Sequence, residues 1–250
     1  MISAVPAFQD NYIWIIHDST KSTAAVVDPG EAGPVLDFLT ANNTRLEALL
    51  ITHHHADHCG GIDALLDYAF TADPDNPVAV YGPSREAIPQ VTVPLRDGDA
   101  VVLEQLALKF SVIDVPGHTA GHIAYFSEDP SNGPILFCGD TLFVGGCGRL
   151  FEGTAEQMFT SLQKLAALPD DTAVYCAHEY TLGNFKFAVH ARPHDVDIRD
   201  RFQEITDMRR QHLPTVPSRI SIEKTTNPFL KCKEAQEFAA LRKQKDEFRG

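Results

Sequence analysis

No apolar run in this 250-residue chain approaches the roughly 20 residues a helix needs to cross a bilayer. We therefore expect no membrane partner. Cysteine is sparse: there are five, an odd number, with no CxxC pair. That pattern suits free thiols in a reducing compartment rather than a disulfide framework. Positive charge is outnumbered, with 21 Lys and Arg against 34 Asp and Glu, a net charge of −13. A chain so acidic is poorly suited to nucleic acid. The opening "MISAVPAFQDNYIWIIHDST" has neither a basic n-region nor a long apolar stretch, so a cytoplasmic protein is expected. Internal repeats and low-complexity tracts are missing, and so is the GxSxG elbow of serine hydrolases.

Of the residues present, 44% are hydrophobic and 22% charged, the balance of an ordinary globular protein. The length suffices for one large domain, or for one domain with a small companion. Short β-rich runs occupy residues 12–17, 24–28, 46–52, 77–82, 108–115, 122–126, 134–139 and 172–177. Helical patterns fall at about 33–42, 61–70 and 154–167, the last opening on Thr154 as N-cap three residues before Gln157. Beyond residue 178 the pattern turns helical, in "NFKFAVHA", "DIRDRFQEITDMRRQHL" and "KEAQEFAALRKQKDEF", interrupted by Pro193, Pro214, Pro217 and Pro228. We expect an α/β domain over residues 1–178 and a small α-helical domain over 179–250.

Four apolar runs end on metal-ligand side chains. "LEALLIT" leads into His53, His54, His55, Asp57 and His58, four histidines and an aspartate within six positions. "SVIDV" leads to His118, "ILFC" to Asp140 and "AVYC" to His178. Any one of the last three alone is more often a hydrogen-bonded or surface residue. Their recurrence at strand ends, beside a histidine cluster, points instead to a metal site. His53 and His55 are two apart and share a side in extended backbone, so with a third histidine they can hold one ion. Asp57 and His58 follow in a turn and can reach a second position. Seven ligands exceed one tetrahedral site, and a two-metal centre with a shared carboxylate fits better. His17, His54, His122, His190, His194 and His212 read as core, surface or supporting residues. Cys138 and Cys176 read as packing residues on their apolar runs.

"THHHADHCGG", "PGHTAGH", "CGDTLF" and "CAHEYT" resemble the THxHxDH signature and its later partners in the metallo-β-lactamase superfamily. "PAFQDNYIW", "GDTLFVGGCGRLFEGT", "HEYTLGNFKFA" and "LRKQKDEF" resemble more closely the glyoxalase II, or hydroxyacylglutathione hydrolase, family across essentially the whole chain. That resemblance implies an αββα sandwich followed by a helical substrate-binding domain. It puts a first metal on His53, His55 and His118, a second on Asp57, His58 and His178, and Asp140 between them. Zinc is the expected ion, with iron or manganese as alternatives. The resemblance also assigns glutathione recognition to Arg149, Leu150, Phe151, Tyr180, Arg242 and Lys245. Phe151 stands where some relatives carry Tyr, and residues 209–238 match only through fragments such as "TVPS" and "NPFL".

Two divalent ions bring a bridging water to a pKa near 7, supplying hydroxide, and one of them can polarise a carbonyl. A thioester suits such a site because its thiolate leaves readily, its conjugate acid having a pKa near 8.5. No further catalytic side chain is then needed. The expected reaction is hydrolysis of S-(2-hydroxyacyl)glutathione, S-D-lactoylglutathione above all, by a monomeric enzyme. The same loops would also serve a phosphodiesterase, a lactonase, a β-lactamase, an iron-dependent persulfide oxidase or a non-enzymatic metal protein. Net charge weighs against the first, and the full second ligand set against a mononuclear oxidase. Lack of cysteine ligands weighs against a closed structural zinc site. In the terminal helix, Phe238, Leu241 and Phe248 form a stripe able to dock. Arg242 and Lys245 lie on one face beside it, as a solvated basic face or as partners of a ligand carboxylate.

Overall fold

The structure is a computed structural model and describes residues 1–129 and 133–250. The chain forms two compact units: Met1–Asp114 with Gly121–Asn132, and Val115–Ala120 with Gly133–Gly250.

Unit 1 opens with a hairpin of β1 (Ile2–Ala7) and β2 (Asn11–His17), followed by β3 (Thr23–Val27), antiparallel to β2. Helix α1 (Ala32–Asn42), β4 (Arg45–Leu50), the single turn α2 (Ala56–Cys59) and α3 (Ile62–Ala72) come next. Strands β5 (Ala79–Pro83) and β6 (Val93–Leu95) complete a six-stranded sheet in the order β1 to β6, parallel from β3 onward. Alternate residues Ile13, Ile15, Ala24, Val26, Leu49, Ile51 and Val80 pack against Val35 and Leu39 of α1 and Ile62 and Leu65 of α3. The intervening Trp14, Ile16, Ala25, Val27, Ala48 and Leu50 are buried as well. Burial on both faces explains why these strands read as continuous apolar runs rather than alternating ones. An antiparallel trio, β7 (Ala100–Leu103), β8 (Leu108–Asp114) and β9 (Ile123–Asp129), completes the unit. Tyr125 of β9 donates its buried hydroxyl to the Ile51 carbonyl at 2.9 Å.

Unit 2 contains β10 (Gly133–Gly139) and a tight hairpin of β11 (Leu142–Phe143) and β12 (Gly146–Cys147). Helix α4 (Ala155–Ala166) follows, then β13 (Ala173–Cys176), α5 (Thr181–Ala191), α6 (Val196–Arg210), β14 (Ser218–Arg219), α7 (Ile220–Thr226) and α8 (Ala235–Glu247). Strand β13 runs parallel to β10 and antiparallel to β14. Helix α4 starts on the expected capping box, with Thr154 and Gln157 each closing on the other's backbone N–H. Helix α8 packs on α4: Phe238 is fully buried, its ring 6.4 Å from Phe159 and 5.6 Å from Phe229. Phe248 of the expected stripe lies just past the helix end, against Phe187.

Candidate functional site

Parallel pairing decides which residues leave a sheet together, because the carboxyl ends of neighbouring parallel strands lie at one edge. In unit 1 the register Val27↔Leu50 releases Asp28 and Ile51–Thr52 side by side. The buried Asp28 carboxylate accepts the Thr52 N–H at 2.8 Å and the Thr52 hydroxyl at 2.7 Å. It also lies 3.1 Å from Nδ1 of His58. A carboxylate only accepts, so His58 carries its proton on Nδ1 and turns a lone pair outward on Nε2. The Thr52 hydroxyl spends its one proton on Asp28, so at 3.1 Å it accepts from Nδ1 of His53. His53 is thereby fixed in the same tautomer.

Two donor pairs result. His53 Nε2 lies 3.1 Å from His55 Nδ1, and His58 Nε2 lies 3.6 Å from Asp57 Oδ2. Ligands about 2.0–2.1 Å from a tetrahedral zinc stand roughly 3.3–3.4 Å apart. Both pairs match the edge of such a polyhedron. Asn11 donates to Asp57 Oδ2 at 3.2 Å, and Gly30 lets the Asp28 loop lie directly on the α2 turn, since a Cβ there would sit 2.0 Å from the Asp57 carbonyl oxygen. His54 turns elsewhere: its ring and backbone N–H both meet Glu86, which also accepts the Gly121 N–H. His122 is buried and stacks on His53 with centroids 4.6 Å apart.

In unit 2, β10 and β13 release Asp140 and His178 from neighbouring parallel ends, with Gly139 paired to Cys176. Asp140 places Oδ1 3.3 Å from Nε2 of His178 and Oδ2 3.4 Å from Nε2 of His118. One carboxylate thus turns a separate oxygen to each imidazole. His118 donates Nδ1–H to the Arg149 carbonyl at 2.9 Å, leaving the Nε2 lone pair toward Asp140. Gly148 makes this possible: a Cβ there would stand 1.9 Å from the Asp140 carbonyl oxygen and 3.1 Å from His118 Nδ1. These donors, imidazole nitrogens and carboxylate oxygens, with Nδ1 of His53, His58 and His118 hydrogen-bonded from behind, fit divalent metal ions.

A cavity of about 600 Å³ opens in unit 2 beside His118 and Asp140. Arg149, Phe151, Tyr180, Arg242 and Lys245 line it with Phe143, Cys147, Glu179, Gly183 and Asn184; Leu150 does not. Phe151, 63% exposed, sets its ring edge against His118, and Tyr180 stacks flat on His178. Arg242 is not a solvated cation. It is buried, donates to the Cys147 carbonyl at 3.0 Å and to Asp246 at 2.8 Å, and lies over the Phe229 ring. Lys245 donates to the Gly183 carbonyl at 3.1 Å and sits over Phe187. Burial, and then the charge of Arg242, push its ammonium down to about 8. Cys138 and Cys176 are buried on their strands, and burial pushes both thiols up, that of Cys176 to about 12. Asp28, Asn11 and Glu86 escaped the sequence reading, although "VVDPG" placed Asp28 at a strand end like the assigned ligands.

Residues 6–178 match the model of the metallo-β-lactamase superfamily, and residues 179–248 match that of the hydroxyacylglutathione hydrolase C-terminus. A hydroxyacylglutathione hydrolase of Cupriavidus metallidurans is 50% identical over 97% of this chain and 91% of its own. The chain belongs to the hydroxyacylglutathione hydrolase family. Another family member, from Pseudomonas aeruginosa, is 51% identical over 93% of this chain and 86% of its own. Among solved structures, ETHE1 from Myxococcus xanthus aligns with a TM-score of 0.71 at 26% identity, covering 97% of this chain and 90% of that one. The fold is accordingly the α/β sandwich of the superfamily, extended by the family's helical C-terminal part. Among the described residues, no helix is long and apolar enough to cross a membrane.

Proposed function

We propose that this chain hydrolyses S-(2-hydroxyacyl)glutathione, S-D-lactoylglutathione foremost, to glutathione and the 2-hydroxy acid, the second step of methylglyoxal detoxification. The observation that carries the reading is the cavity of unit 2. There His118 and Asp140 line the same cavity as the cations of Arg149 and Lys245. Relatives about half identical over most of the chain, named for that reaction, support it.

In this reading His53, His55 and His118 would hold one divalent ion, Asp57, His58 and His178 would hold a second, and Asp140 would serve both. Zinc fits the donor set, as do iron and manganese. Such ions supply an acidified water as nucleophile and a Lewis acid for the carbonyl oxygen. The chain's own residues orient. Asp28 and the Arg149 carbonyl fix the tautomers of His58 and His118, so both lone pairs are presented before substrate arrives. Phe151 and Tyr180 flank the reacting end, and Lys245 offers its ammonium to a glutathione carboxylate. The leaving thiolate needs no proton donor. Residues 1–178 then carry the chemistry, and 179–250 share the substrate contacts with Arg149 and Phe151, in a monomeric cytoplasmic enzyme with no nucleic-acid or membrane partner.

Dialysis against a chelator tests this reading. Hydrolysis of S-D-lactoylglutathione should vanish and return with added zinc, whereas metal-free protein working at the full rate would contradict it.

A further inference from the structure

The β11–β12 hairpin begins two residues after Asp140, and its backbone is bound largely by side chains from the helices. Glu223 of α7 is fully buried; its Oε2 accepts the Gly145 N–H at 2.8 Å and the Asn227 amide at 3.0 Å. Its Oε1 accepts the Ser218 hydroxyl at 2.5 Å. Asn227, at the end of α7, donates to the carbonyls of Phe143 at 3.1 Å and Gly146 at 2.9 Å. Asn184 of α5 donates to the Val144 carbonyl at 3.1 Å, and Arg242 of α8 takes the Cys147 carbonyl. A two-residue strand pair has too few ladder bonds to hold itself. Beyond it, Gly148 donates its N–H to the Thr141 carbonyl at 3.2 Å, closing the loop that starts at Asp140.

A buried carboxylate needs donors on every side. Here they are a serine hydroxyl, an asparagine amide and the hairpin's own N–H. An apolar residue would fill α7 without this desolvation cost, so the carboxylate serves the hairpin rather than the helix. We infer that Glu223, through Gly145 and Asn227, is a positioning residue that fixes the hairpin and thereby the direction of the Asp140 carboxylate. The helical part then builds the metal site as well as the substrate pocket. This inference rests on Asp140 being a metal ligand.

The test uses the full-length chain with Glu223→Gln, Ser218→Ala and Asp140→Asn. Gln keeps the shape but points an amide N–H₂ at a donor. Ser218→Ala removes a Glu223 bond that does not touch the hairpin. Hydrogen exchange on the metal-free proteins should show residues 141–148 opening at least about tenfold faster in Glu223→Gln, with exchange elsewhere near wild type. Competition with a chelator should show Zn²⁺ bound about 10–100-fold more weakly, with kcat lowered and KM within about twofold. Ser218→Ala should lose thermal stability and leave zinc affinity alone. Uniformly faster exchange with wild-type zinc affinity in Glu223→Gln would make Glu223 an ordinary core residue and overturn the inference. If Glu223→Gln does not fold, Asn184→Ala replaces it: faster exchange at 141–148 with weaker zinc supports the inference, and unchanged zinc overturns it. Asp140→Asn separates the two readings, because undiminished zinc there removes the premise about Asp140 itself.

Discussion

The carboxylate of Asp28 lies 3.1 Å from Nδ1 of His58, although thirty residues separate the two along the chain. Asp28 binds Thr52 as well, so a single side chain orients the loop that carries His53, His55, Asp57 and His58. Asp28→Asn keeps the size and removes the charge that fixes the imidazole proton. Zinc affinity should fall about 10–100-fold, read by chelator competition, with near-UV circular dichroism unchanged. Wild-type affinity would mean that His58 is not a ligand or needs no orientation.

Asp140 is assigned to both ions and His54 to neither, since His54 pairs with Glu86. Elemental analysis of protein purified without chelator should find two divalent ions per chain. Asp140→Ala should lose metal and most activity, while His54→Ala should retain both. Equal losses in the two variants would undo the assignment of Asp140.

Lys245 gives the pocket a pH dependence of known sign. Burial and then Arg242 lower its pKa from the ordinary 10.5 to about 8, so the ammonium that attracts a carboxylate is present below about pH 8 and lost above it. KM for a glutathione thioester should climb between pH 7 and 9.5 after correction for spontaneous hydrolysis. Lys245→Arg stays charged across that range and should flatten the climb. The same shift means that the unfolded chain binds the proton more tightly, so this group makes stability rise with pH from about 8 to 10.5. A flat wild-type KM profile would remove Lys245 from substrate binding.

Arg242 and Lys245 should separate by phenotype. Arg242→Ala strands a buried Cys147 carbonyl and removes the partner of Asp246, costing about 1–3 kcal/mol. That corresponds to a Tm lower by roughly 2–12 °C for a chain of this size. Lys245→Ala should leave Tm within a degree or two and raise KM. Thermal melts beside steady-state kinetics decide it, and identical phenotypes would count against both assignments.

Strand ends were legible where buried apolar residues run up to the ligands, Ala48 to Ile51 before His53 and Ile135 to Cys138 before Asp140, whereas β8 before His118 alternates buried and exposed residues. Thr154 and Gln157 announced α4, whose cap is purely local. Long-range support was not legible: Asp28 meets His58 only because β3 and β4 pair in parallel, and a sequence records no register. Helix α7 was missed because "ISIEKTT" is rich in β-branched residues, and packing around Ile220 and Glu223 overrides that preference. Arg242 read as solvated or ligand-bound, since nothing in "LRKQKDEF" shows that the Cys147 carbonyl waits for it. Strand β1, with Pro6 and mostly half-exposed residues, lacks an apolar run altogether.

Cleavage of glutathione thioesters is tested most directly by a panel of substrates. Purified, zinc-loaded protein should be assayed at neutral pH with S-D-lactoylglutathione, a small neutral thioester, a lactone, a β-lactam and a phosphodiester. S-D-lactoylglutathione should turn over fast, the neutral thioester weakly, and the other three little or not at all. Turnover of the phosphodiester or the β-lactam in place of S-D-lactoylglutathione would contradict the proposed function.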